Sequence, residues 1–351
     1  MTPPAPRADI DALTGVRAVA ALWVVLFHVS GLWAGEMPVA GLGYLGVDLF
    51  FILSGFVLAH AHADSFRRDP VGTYPRFLGR RIARIFPVWL AVLALFALKH
   101  DLSWGEWLVF ASLAQSWGPV PTQLVNPPGW SVSLEWAGYL AFPLVAWLPW
   151  RIEVAWKASA AVAGLLGVLL AGGLMNGGGS LHDDEALYPL RFLTEFTIGI
   201  VLRRLVDLRR AETAGDWPGP ENAAAFDRYA TRLAVGVAVL AVLVPLGGRS
   251  LWADLLAIGA FAAGLFFLAL ASGRFSRALA GSALRWLGER SYSLYVVHWL
   301  VLEILWGRID SGLIPRAAGA AAIVAGSIGA AAVLYSVIER PAREWARLRL
   351  S

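Results

Sequence analysis

Four residues in the first 135 positions are costly to keep where they stand. Arg17 and His28 interrupt one long apolar run, Asp48 a second and Glu135 a third. An ionisable group held in hydrocarbon costs from about 3 to more than ~10 kcal/mol, so a chain that retains several of them uses them. A neutral imidazole is a competent general base near neutral pH. A carboxylate on its second nitrogen fixes the tautomer and stabilises the imidazolium that forms. His28 is therefore the candidate base, with Asp48 or Glu135 as the candidate orienter. A cluster of interhelical hydrogen bonds that only holds helices together would use the same residue types.

The elements that position these groups follow from composition. Of 351 residues, 58% are hydrophobic and 15% charged, against about 25% charged in an average soluble domain, and mean hydropathy is +0.62. These values describe an all-α, polytopic transmembrane helix bundle. Cysteine is absent, so neither disulfides nor thiolate metal sites enter. The net charge of +4 comes from basic residues beside apolar runs, a membrane pattern rather than a nucleic-acid one. MTPPAPRADID leads into a run too long and too charged for a cleavable leader, so a retained first helix is expected. The longest polar segment, Arg203 to Arg232, is too short for a soluble domain, and residues 1–351 read as one membrane-embedded unit.

Apolar segments fall near 14–33, 43–62, 85–100, 104–118, 130–149, 158–175, 187–206, 232–247, 251–272, 291–306 and 316–338. A span takes about 20 residues, and 104–118 is short and polar for that task. Lys and Arg crowd cytoplasmic loops. Here 63–84 carries Arg67, Arg68, Arg76, Arg80, Arg81 and Arg84, while 274–290 and the tail after Glu339 are also basic. The segments 34–42 and 176–187 hold no basic residue. Both termini then belong in the cytoplasm, and parity gives ten spans with 104–118 as a re-entrant or interfacial helix.

Depth turns this topology into a site. His28, Asp48 and Glu135 each lie about five residues from the outer end of their spans, roughly 7 to 8 Å below that boundary at 1.5 Å per residue. Arg17 lies roughly 16 Å lower than His28, and with Arg80, Arg81 and Arg84 it forms a basic rim that suits a phosphorylated ligand. Basic residues in inner loops also occur without any ligand. His60, His62, His100 and His182 lie at span ends or in loops without ligand spacing, so no metal is expected. Ser54, Gly55 and Phe56 read as a close helix approach with no base at that depth. Pro341 reads as a helix stop.

These residues resemble a known set. DALTGVRAVAALWVVLFH is similar to the opening motif of the acyltransferase 3 family, with Arg17 and His28 separated by ten residues. GYLGVDLFFILSGFVL places Asp48, Ser54, Gly55 and Phe56 where the family's GVD and SGF elements stand. RFLGRRIARIFPVWL resembles its basic segment, PGWSVSLEWAGYLAFPL its Trp-Ser-x-Ser-x-Glu stretch, and LGERSYSLYVVHWLV its Ser-Tyr-Ser-x-Tyr segment, ending here at His298. The resemblance covers nearly the whole chain. It departs at Trp136, Ala137 and Gly138, where the family commonly has an acidic and then an amide residue before an aromatic. Many relatives also carry a C-terminal extracytoplasmic hydrolase-like domain, while this sequence stops at Ser351.

The resemblance implies an O-acyltransferase of the bacterial cytoplasmic membrane. Such an enzyme moves an acyl group, usually acetyl from acetyl-CoA, to a hydroxyl of lipopolysaccharide, exopolysaccharide, another glycan or a small molecule. The phosphates of coenzyme A would meet Arg17, Arg80, Arg81 and Arg84, and the thioester would reach His28, acting as general base or transient acyl carrier. Arg191 and Glu195, four apart on one helix face, are candidates with Trp130 and Ser133 for the acceptor side; the first two serve equally well to hold the bundle. Tyr295 and His298 are candidates for the donor path, against a packed core histidine. A transporter or flippase using the same charges is the alternative class, and the absence of an internal repeat weighs against it.

Overall fold

The computed structural model describes residues 7–33, 38–118, 125–212, 220–247 and 249–350. Among them the chain is helical and holds no strand. The helices are α1 (Arg7–Ser30), α2 (Pro38–Gly41), α3 (Gly46–Arg68), α4 (Pro70–Phe96), α5 (Trp104–Ala111), α6 (Gly129–Ala146), α7 (Ala155–Met175) and α8 (Tyr188–Glu212). They continue with α9 (Pro220–Gly247), α10 (Leu251–Leu268), α11 (Arg274–Leu279), α12 (Ser282–Glu289), α13 (Ser291–Asp310), α14 (Arg316–Leu334) and α15 (Arg340–Arg349). The leader residues 1–6, the outer-loop positions 34–37, positions 213–219 of the polar segment and Ser351 lie outside the described residues.

Among the described residues, six stretches are long and apolar enough to cross a membrane: Asp11–Ser30, Gly43–Arg68, Gly129–Arg151, Ala155–Met175, Leu251–Leu268 and Arg316–Arg349. The other expected spans, at 85–100, 187–206, 232–247 and 291–306, fall within α4, α8, α9 and α13. The Gly43–Arg68 stretch is 72% buried, whereas those of α7 and of the last helix are 17% buried, so α3 is central and the other two are peripheral. Two apolar cores flank α3. Phe51 and Leu58 face one, with Trp89, Phe96, Tyr139 and Phe142. Ile52, Leu53 and Phe56 face the other, with Ile198, Leu202 and Ile258.

Glycine sets the approach of α3 to α8. A Cβ on Gly55 would fall onto the Phe196 carbonyl, and one on Gly199 onto the Ile52 carbonyl. Backbones of α3 and α8 therefore touch where only glycine fits, the small-residue packing common between membrane helices.

Two expectations change, for 63–84 and for Pro341, while 104–118 is too short to cross, as expected. The basic stretch 63–84 is helical rather than a loop, because α3 runs to Arg68 and α4 begins at Pro70. Asp69 alone makes the corner, its Oδ1 accepting from the Gly72 N–H at 2.9 Å as an N-cap. In 104–118, α5 ends at Ala111; eight residues reach about 12 Å, too short to cross a bilayer. The chain then turns at Leu113, which holds φ +57°, and Ser133 Oγ donates to its carbonyl at 2.7 Å. Pro341 does not end the last helix. Residues 335–339 form a π turn and α15 continues, with Pro341 in its first turn, where a missing N–H is tolerated.

Gly55→Leu is expected to lower stability by about 1–3 kcal/mol, the usual range for overpacking. A reduced unfolding midpoint in detergent checks it, and an unchanged midpoint contradicts the α3–α8 contact.

Candidate active site

A cavity of about 730 Å³, its open mouth included, lies among α1, α3, α4, α6 and α13. Arg17, Arg81, Arg84, Ser54, Glu135 and Tyr139 line it, with Tyr295 and Ser131 along α13 and α6, while His28 is not among its lining residues. Arg17 Nε and Nη2 donate to Ser291 Oγ at 3.2 and 3.1 Å. Glu135 Oε1 accepts from Ser54 Oγ at 2.7 Å and from Tyr139 OH at 2.6 Å. Buried Arg81 Nε has no hydrogen-bond partner. Three guanidiniums thus line one cavity with one carboxylate, an excess of positive charge that an anionic ligand would neutralise.

Arg80, expected with them, does not line this cavity; its Nη2 donates to the Leu350 carbonyl at 2.8 Å and fastens the end of α15. Ser54 was expected to face no base, yet it donates to Glu135. Ser54 lies six residues beyond Asp48, about 9 Å along α3, so Glu135 sits well below Asp48 instead of level with it. α6 begins at buried Gly129, and its Ser133 packs on the turn at Leu113.

His28 finds neither carboxylate. Its Nδ1 lies 2.9 Å from the Val24 carbonyl and 3.1 Å from His298 Nε2, and His298 Nδ1 lies 2.7 Å from the Tyr295 carbonyl. A carbonyl only accepts, so Nδ1 carries the proton in both neutral rings. His298 Nε2 then presents a lone pair to His28 Nδ1–H, and the lone pair of His28 Nε2 is left uncommitted. His298 is fully buried behind Tyr295, 5.8 Å ring to ring, and faces His28 instead of lining the cavity. Along α1, Arg17 and His28 are eleven residues apart, which at 3.6 per turn puts them within about 20° of one face and about 16 Å apart.

Asp48 belongs to a separate ionic cluster. Arg191 Nη2 donates to its Oδ1 at 2.6 Å, and His182 Nε2 donates to its Oδ2 at 2.8 Å. The other His182 nitrogen lies 3.3 Å from Asp254, which also accepts from Ser180 Oγ at 2.7 Å. Glu195 stands 3.9 Å from Arg191 Nε, one helical turn away, and shares the buried cluster with Asp48. Trp130 stacks on Tyr188 at 4.0 Å beneath the Arg191 guanidinium. Ser133 is fully buried and pins the Leu113 turn, with its Oγ also accepting from Ser116 N–H at 3.2 Å.

Sequence reasoning passed over His182, since a single loop histidine carries no spacing signal. Asp254, in the first turn of an apolar helix, gave a cue by interrupting an otherwise uncharged run. Tyr139 could have been found four residues after Glu135, on the same face.

The fold and these groups define an all-helical membrane protein with a buried basic cavity and an imidazole pair. The family profile described as an acyltransferase domain matches residues 10–336, and the chain belongs to the acyltransferase 3 family. It is 29% identical to the acyltransferase MdmB of Streptomyces mycarofaciens, over 95% of this chain and 91% of that protein. It is 26% identical to the putative peptidoglycan O-acetyltransferase YrhL of Bacillus subtilis, over 84% of this chain but 49% of that protein. It is also 26% identical to the peptidoglycan O-acetyltransferase OatA of Listeria monocytogenes, over 41% of this chain and 25% of that one. No solved structure matches the chain.

Asp48→Asn leaves Arg191 buried without its ion partner and is expected to cost about 3–5 kcal/mol. Pairing it with Arg191→Met should recover part of that loss. Unfolding midpoints of the two single variants and the double variant check this, and simple additivity would contradict the pair.

Proposed function

We propose that this chain is an O-acyltransferase of the bacterial cytoplasmic membrane, with ten spans and both termini inside. It takes an acyl group, acetyl in the first instance, from cytoplasmic acyl-CoA and places it on a hydroxyl of an extracytoplasmic glycan. The observation that carries this reading is the single face of α1 that bears both Arg17, in a cavity with excess arginine, and His28, whose Nε2 is uncommitted and which lies beyond the lining of that cavity. The orphaned Arg81 Nε and the Arg17–Ser291 contact fit the phosphates of the donor, and peptidoglycan O-acetyltransferases among the relatives support a glycan acceptor. Family membership disfavours the transport alternative.

In this mechanism Arg17, Arg81 and Arg84 hold the donor's phosphates, and the thin thioester arm extends along α1 past Tyr295. The acceptor hydroxyl gives its proton to His28 Nε2 as its oxygen attacks the thioester carbonyl. Collapse of the tetrahedral adduct breaks the C–S bond, and the departing thiolate takes the proton back from His28. While His28 is charged, its Nδ1–H donates to the Val24 carbonyl and to the lone pair of His298, so His298 is a positioning residue. Glu135, held by Ser54 and Tyr139, spaces the arginines. Arg191, Glu195 and Trp130 face the acceptor, with the unpartnered Nη1 of Arg191 supporting that assignment.

Purified protein with acetyl-CoA and a soluble glycan fragment tests the reading. His28→Ala is expected to reduce turnover by about 10²–10⁴-fold, the usual contribution of a general base. Arg81→Ala should instead raise KM for acetyl-CoA with kcat nearly unchanged. Full transfer by His28→Ala would sink the proposal.

A further inference from the structure

The opposite side of α1 carries a second concavity that the acyl-transfer reading does not use. Val16, Val19, Leu22, Trp23 and Leu26 lie about half a turn around the helix from Arg17 and His28. With α9, α10 and α11 they line a groove of about 1300 Å³, its open side included, and none of its nineteen lining residues is charged. The one polar side-chain atom there, Trp23 Nε1, is satisfied by donating to the Val39 carbonyl at 2.6 Å. Water needs two to four polar partners to be held in a cavity, and this groove offers none.

Its place and size select the occupant. Val19 on its rim is 44% exposed and lies on the apolar span Asp11–Ser30, and Leu251–Leu268 forms another of its walls, so it opens sideways where hydrocarbon lies. From Val16 to Leu26 it runs ten residues, about 15 Å, half of a hydrocarbon core of about 30 Å. That is the reach of one tail of one leaflet. At the Val16 end, Leu279 packs on Gly15, and α11 brings Phe275 and Leu279 to the groove. Arg274, next to Phe275, is exposed and makes no hydrogen bond or ion pair among the described residues. Its guanidinium is suited to a phosphodiester.

We propose that this groove holds one acyl tail of an anionic glycerophospholipid, with the phosphate at Arg274. The site is independent of the catalytic reading, since no groove residue lines the donor cavity. A bound lipid would wedge α1 against α9 and α10 and steady the helix that carries Arg17 and His28.

Native mass spectrometry of the full chain tests this, after delipidation and addition of dioleoyl phosphatidylglycerol or dioleoyl phosphatidylethanolamine. Wild type should retain one phosphatidylglycerol, at least fivefold over phosphatidylethanolamine. A Cβ on Gly264 meets only Leu233 Cβ at 4.0 Å, so Gly264→Leu fits by filling the groove and should reduce retention at least tenfold. Where that variant does not elute as folded protein, Ala234→Leu on the exposed rim serves instead. Arg274→Ala should remove the preference for the anionic lipid. Equal retention by wild type and the filled variant, or no retained lipid in wild type, overturns the site; equal retention of the two lipids by wild type overturns the role of Arg274.

Discussion

A carboxylate on α3 and a guanidinium on α8, 2.6 Å apart and fully buried, govern how this bundle is assembled. Each charge alone in a low-dielectric interior would carry a desolvation penalty of several kcal/mol, so each restricts where the other's helix can lie. Gly55 and Gly199 let α3 and α8 meet closely, and the pair sits beyond them toward the start of both helices. The pair also removes Asp48 from the pool of groups that could serve His28.

The consequence is a division of labour around α3. On one side it presents Ser54 to Glu135 and walls the basic cavity; on another it presents Asp48 to Arg191 and His182. The imidazole pair stands apart from both. Main-chain carbonyls of Val24 and Tyr295 fix its tautomers, a task that enzymes often give to a carboxylate. Because a carbonyl accepts and never donates, the arrangement has one proton order, and it leaves Nε2 of His28 as the basic atom.

The helix α1 has two unlike faces for the same reason that membrane helices generally segregate their polar atoms. Arg17 and His28 turn toward protein, where Ser291 and His298 satisfy them. Val16, Val19, Leu22 and Leu26 turn toward an apolar groove. Among the described residues Leu113 is the one non-glycine residue with a left-handed backbone, and Ser133 of α6 holds its carbonyl.

Composition and the order of its motifs by themselves determined that this chain is a helical membrane protein of the acyltransferase 3 family. Hydropathy and motif order survive any rearrangement of helices, and so does the shared face of Arg17 and His28, which follows from helical pitch alone. Only the tertiary structure decided the partners. Depth counted from span ends put His28, Asp48 and Glu135 in one layer because it assumed that each span starts at the surface, and α6 instead begins at buried Gly129. The pairings of Asp48 with Arg191 and His182, of Glu135 with Ser54, and of His28 with His298 join residues 81 to 270 positions apart. Which of several buried charges meet at such separations depends on helix rotation and crossing, and those are set by packing across the whole bundle, which no local pattern encodes.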